Sequence, residues 1–67
     1  RVVEVLNRFI SNLDPEGRVL FLRRYVYFES VTDLAARFGL TENAVSSRLS
    51  RIKKRLKKVL REENIEI

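Results

Sequence analysis

Apolar side chains recur every three or four residues along most of the chain, a spacing that predicts helices rather than strands. Val2, Leu6, Phe9, Ile10 and Leu13 share one side of the opening segment, with Glu4, Asn7, Arg8 and Ser11 outward, so a first helix is expected from about Val2 to Asn12. Asp14, Pro15 and Glu16 then combine a capping acid, a proline for the first helical position and a carboxylate near the positive end of the helix dipole. The second helix should run to about Tyr27. It is apolar almost all round, with Val19, Leu20, Phe21, Leu22, Tyr25, Val26 and Tyr27 interrupted mainly by Arg23 and Arg24. Such a helix either lies at the centre of the core, where its aromatics are expected to pack, or keeps a spare apolar face for a protein partner.

Ser30, three residues before Asp33, has the spacing of a capping box with a shortened acid and starts a third helix through about Phe38, with Leu34, Ala35 and Phe38 inward. Gly39 ends that helix, Leu40 plugs the turn and Thr41 caps a fourth helix. Ala35 is small where two helices must approach, Gly39 suits a turn of positive φ, and Val45 supplies the next apolar anchor. That is the layout of a helix-turn-helix. The expected fold is all-α: one compact four-helix domain over residues 1–67, related to winged-helix proteins but without a wing.

In the fourth helix, Val45, Leu49, Ile52, Leu56, Val59 and Leu60 fall within one arc, while Asn43, Ser46, Ser47, Ser50 and Lys54 fall opposite. Arg48, Arg51, Arg55 and Lys58 line one flank, and Lys53, Lys57 and Arg61 the other. Short side chains on the polar face let a helix sink into a DNA major groove, and flanking cations reach phosphates.

The charge pattern sharpens that picture. Residues 41–61 hold eight basic side chains against the single acid Glu42, residues 1–40 are nearly balanced, and the tail from Glu62 carries three acids. A basic run alone is usually a solvated face, but beside a helix-turn-helix it indicates a polyanion partner. With no Cys and no His, the chain lacks thiolates, disulfides and the commonest metal ligand and proton shuttle. Glu62 and Glu63 sit in a tail expected to fray. No catalytic residue, metal site or cofactor is expected, and 67 residues leave little room for a substrate cavity. No apolar run reaches the length of a membrane span, so a soluble protein without a membrane partner is expected, and the absence of Cys is compatible with a cytoplasmic home.

Base contacts in a recognition helix come mainly from its N-terminal half, here Glu42, Asn43, Ser46, Ser47 and Ser50. Asn43 can pair with adenine and Glu42 can accept from cytosine, while the serines donate or accept. Arg48 and Arg51 can grip phosphate or a guanine edge, and Lys54 and Arg55 can follow the backbone. Thr41 is first a cap, although an amide at a helix start also holds phosphate. For each of these residues the plain reading is a solvated polar group or a surface ion pair.

Three pieces of the chain, LDPEGRVLFLRRY, SVTDLAARFGLT and AVSSRLSRIKKRL, spanning about Leu13 to Leu60, resemble the C-terminal domain, region 4, of bacterial RNA polymerase sigma factors, most closely the extracytoplasmic-function group. The resemblance implies a domain that reads the −35 promoter element in the major groove and docks on the flap of the polymerase β subunit through its earlier helices. It carries DNA-reading roles onto Glu42, Asn43, Ser46, Ser47, Arg48 and Arg51. Two positions depart from the family pattern. Members often have Gly near Phe28, which leaves Phe28 expected to pack inward, and a basic residue near Ser46, which alters the expected base preference. The start at Arg1 and the end at Asn64-Ile65-Glu66-Ile67 suit the C-terminal piece of a longer sigma factor. Expected partners are double-stranded promoter DNA, RNA polymerase core and an anti-sigma factor, with the domain acting as a monomer. The rival readings are the output domain of a transcriptional regulator, which would pair on two half-sites, and a module whose apolar second helix binds a protein while DNA contact is secondary.

Overall fold

The computed structural model describes residues 1–65, so Glu66 and Ile67, part of the acidic tail and of the expected natural end, lie outside the described residues. Four helices follow one another: α1 (Val2–Ser11), α2 (Pro15–Tyr25), α3 (Val31–Phe38) and α4 (Glu42–Glu62). No strand occurs among the described residues, and the domain measures 36 × 19 × 17 Å. The all-α helix-turn-helix expected from the periodicity is the fold observed.

Three of the helix starts have side-chain caps, each satisfying one of the backbone N–H groups that a helix start leaves without an intrahelical partner. Asp14 accepts from Gly17 N–H at 3.3 Å, Ser30 from Asp33 N–H at 3.1 Å and Thr41 from Ala44 N–H at 3.0 Å. Gly17 leaves room for its cap: a Cβ there would lie 2.7 Å from Asp14 Oδ1 and would shift the capping carboxylate, with Ile52 of α4 just beyond. Gly39 ends α3 at φ +64°, and the next amide, Leu40 N–H, closes the turn onto Ala35 O at 2.9 Å.

The core has two lobes joined through neighbouring residues of α2. Leu20 packs with Leu34, Ala35, Val45 and Leu49, which ties α2, α3 and α4 together, and Val31, Phe38 and Leu40 pack around them. Phe21 packs with Phe9, Leu13 and Ile52, joining α1, with Ile10, Leu56 and Val59 at the edge. Phe9 and Phe21 meet edge to face, their ring centres 6.3 Å apart. Each fully buried Leu or Val contributes on the order of 1.5–3 kcal/mol. No polar or charged residue is buried among the described residues, so position within the core is set by shape and by the caps.

Four sequence expectations need correction. On α1, Val5 is the buried residue while Val2 is 43% exposed, because the docking stripe passes through Val5, Phe9 and Leu13. α2 ends at Tyr25, two residues early, and leaves Val26, Tyr27 and Phe28 in solvent instead of in the core. Phe28 does not pack inward: it is 80% exposed and stands at φ +59°, the left-handed conformation that glycine adopts without strain. Glu63 is tied down and not frayed, its carbonyl accepting from Arg1 Nη2 at 2.7 Å and its carboxylate from the same nitrogen at 3.1 Å.

Candidate nucleic-acid interface

The turn at Gly39 and the cap at Thr41 aim the first turns of α4 outward, while Val45 and Leu49 pin its inner side to α2 and α3. Asn43, Ser46, Ser47, Ser50 and Lys54 are all exposed, and their spacing places them in one strip opposite the buried Val45, Leu49 and Ile52. The strip carries amide, hydroxyl and one ammonium group, a donor and acceptor set that matches base edges without crowding the groove. Thr41 spends an oxygen lone pair on its cap and keeps its hydroxyl hydrogen available for donation.

Two candidate readers are engaged within the domain. Glu42 accepts from the Thr32 hydroxyl at 3.2 Å, which ties the start of α4 to the start of α3. Arg48 forms an ion pair with Glu16 at the start of α2, so its charge is shared before any ligand arrives. Arg51, Lys54 and Arg55 are exposed and take part in no ion pair among the described residues, with their full charge facing solvent. The structure thus brings the polar strip together as expected and divides the arginines into held and unheld.

Sequence reasoning missed the network through which Glu29 ties the end of α2 to α3. Glu29 accepts from Arg23 Nη1 at 2.7 Å and from Arg37 Nε and Nη2 at 3.3 Å, while its carbonyl accepts from Arg24 Nη1 at 3.2 Å. Its own N–H donates to Arg23 O at 2.9 Å. The Arg23 guanidinium holds the Glu29 carboxyl below the usual glutamate range; partial burial opposes this and Arg37 reinforces it. Arg23 and Arg37 lie fourteen positions apart, and no local pattern pairs either with Glu29. Glu16 and Arg48, thirty-two positions apart, were equally unreadable.

Among the described residues no group of His, Cys, Asp or Glu is placed to hold a metal, and no helix is long and apolar enough to cross a membrane. The family model described as sigma-70, region 4 matches residues 4–56. Searches of curated proteins and of solved structures gave no significant match. The family match covers most of the chain, including all of α2 and α3 and residues 42–56 of α4, and so spans the helix-turn-helix built around Gly39. The chain therefore belongs to the sigma-70 region 4 family, the DNA-binding domains with which sigma factors act in transcription initiation, and not to a family of enzymes.

Proposed function

We propose that this domain recognises a −35 promoter element, laying the N-terminal half of α4 in the major groove. Asn43, Ser46, Ser47 and Ser50 read base edges, Glu42 contributes where a cytosine amine faces it, and Thr41, Arg51, Lys54 and Arg55 hold the backbone. Arg48 acts beside them more weakly, because Glu16 already takes part of its charge. The observation that carries this reading is the exposed strip of small polar side chains on the one face of α4 that the core leaves bare, in a chain of the region 4 family.

In the same reading the domain is the C-terminal part of a longer, extracytoplasmic-function-type sigma factor working in the cytoplasm as a monomer on polymerase. Docking on the β-subunit flap falls to the earlier helices and the link after α2, where Val19 on α2 and Val26, Tyr27 and Phe28 in the link expose apolar surface to a partner. An anti-sigma factor competes for that surface.

Selection of duplexes from a randomised pool by the purified domain tests the proposal. Enrichment of one short, non-palindromic motif is expected; paired half-sites would assign the chain to a dimeric regulator instead. On the selected duplex, Arg51→Ala should weaken binding by about 1–3 kcal/mol and lower the salt slope by about 1. Arg48→Ala should cost less than Arg51→Ala in the same assay, and equal affinity of both variants with wild type would reject the assignment.

A further inference from the structure

The C-terminal end of α2 and the middle of α4 enclose an open cleft of about 340 Å³. Its α4 wall carries Ser46, Ser50, Lys53, Lys54 and Lys57, and its α2 wall carries Arg24 and Tyr25. Among the described residues no carboxylate lines it. Elsewhere carboxylates answer some of the surface cations, Glu16 pairing with Arg48 and Glu29 with Arg23 and Arg37. Lys53, Lys54 and Lys57 enter no ion pair among the described residues, and Arg24 gives one N–H to a neutral carbonyl, that of Glu29.

The Tyr25 ring stands between the two walls. Lys53 Nζ lies 5.9 Å from its centre and Arg24 Cζ 6.0 Å, so the ring attracts a cation from each helix and keeps both at the cleft. Phe21, 5.0 Å from Tyr25 between ring centres, backs it from the core. Val31, in the first turn of α3, also borders the cleft. Four cations, Arg24, Lys53, Lys54 and Lys57, and the hydroxyls of Ser46, Ser50 and Tyr25 around a cleft that no carboxylate lines match the chemistry of a phosphate group.

We propose that this cleft is a backbone-phosphate subsite for duplex DNA, built partly by α2 and so lying outside the helix-turn-helix. The proposal rests on the reading of α4 given above, because Ser46, Ser50 and Lys54 belong both to the cleft and to the base-reading strip. A strand whose bases meet that strip runs its backbone along the strip's edge, and the cleft is the concave, unneutralised edge. The flank with Lys53 and Lys57 then anchors the sugar-phosphate chain in addition to Arg51 and Arg55 on the other flank, where Glu16 occupies Arg48 alone. Arg24 and Tyr25 fix the tilt of α4 in the groove from a helix that reads no base.

The test uses the selected duplex with single backbone phosphates, one at a time, replaced by neutral methylphosphonate. Wild type is compared with a Lys53→Ala/Lys57→Ala variant; both lysines are exposed, so the fold is retained and a helical melt verifies it. The variant should bind at least about tenfold more weakly, with a salt slope lower by about 2. One or two phosphates at the edge of the motif should matter to wild type and no longer matter to the variant, and Lys53→Arg/Lys57→Arg should restore that sensitivity. Equal affinity and slope, or the same methylphosphonate penalties in both proteins, would overturn the subsite. Failure of the underlying reading looks different: wild type then enriches no motif and Arg51→Ala has no effect. With a motif enriched and Arg51→Ala impaired, an unaffected lysine variant removes the cleft alone.

Discussion

Gly39 and Phe28 have nearly the same φ, +64° and +59°, one capping α3 and the other three residues past the end of α2, yet one has no side chain and the other one of the largest. At Gly39 the turn is a local matter. A Cβ there would meet nothing within 4 Å, so only the backbone's own preference excludes other residues, and glycine removes that cost. At Phe28 the turn is imposed from outside. Glu29, next in the chain, is fixed through its N–H, carbonyl and carboxylate to Arg23, Arg24 and Arg37, and Phe28 follows in a conformation that costs an L-residue about 1–2 kcal/mol. Two turns of nearly equal φ therefore have different owners, one a residue and the other a network.

Three experiments press on that contrast. The largest effect belongs to Gly39→Ala: the change has room but no favourable φ, and should lower stability by about 1 kcal/mol in denaturant melts. An unchanged midpoint would mean that the turn at Gly39 is as adaptable as the one at Phe28. Phe28→Gly should do the reverse. Relief of strain exceeds the added freedom of the unfolded chain, and a gain of about 0.5 kcal/mol is expected, since the ring already lies in solvent and its removal uncovers no core surface. The smallest effect is on pH. Because Arg23 holds the Glu29 carboxyl below its ordinary value, the network's contribution is complete above about pH 4.3 and fades as the pH falls through the lower folded value. The difference in melting temperature between wild type and Glu29→Gln should therefore be present at pH 7 and shrink toward pH 3. A difference that persisted in acid would show that charge is not what holds the link.

The contrast also explains which parts of the molecule could be read in advance. Caps at Asp14, Ser30 and Thr41, the stop at Gly39 and the buried stripe of Val45, Leu49, Ile52 and Leu60 follow from short-range rules, and each is where the spacing predicts it. The polar strip of α4 is legible for the same reason, since a helix face is fixed once its core face is known. What could not be read depends on contacts that helical periodicity does not report, some of them between residues far apart in the chain. Leu22, Arg23 and Glu29 end α2 early through the paths of Tyr27 N–H to Leu22 O and Glu29 N–H to Arg23 O. The pairing of Arg48 with Glu16 depends on how α2 crosses α4, and so does the cleft beside Tyr25. Counting cations along α4 therefore overstated how many are free, and gave no indication that α2 adds another.

The bond between Arg1 and Glu63 has a practical use. It brings the beginning of α1 beside the end of α4, and α4 rises about 1.5 Å per residue, so Ser47 lies roughly 24 Å away along the helix axis. A fluorophore, affinity handle or surface tether joined ahead of Arg1 would leave the molecule at the pole remote from the start of the polar strip on α4. The same anchoring would let the domain be immobilised with that strip pointing into solution.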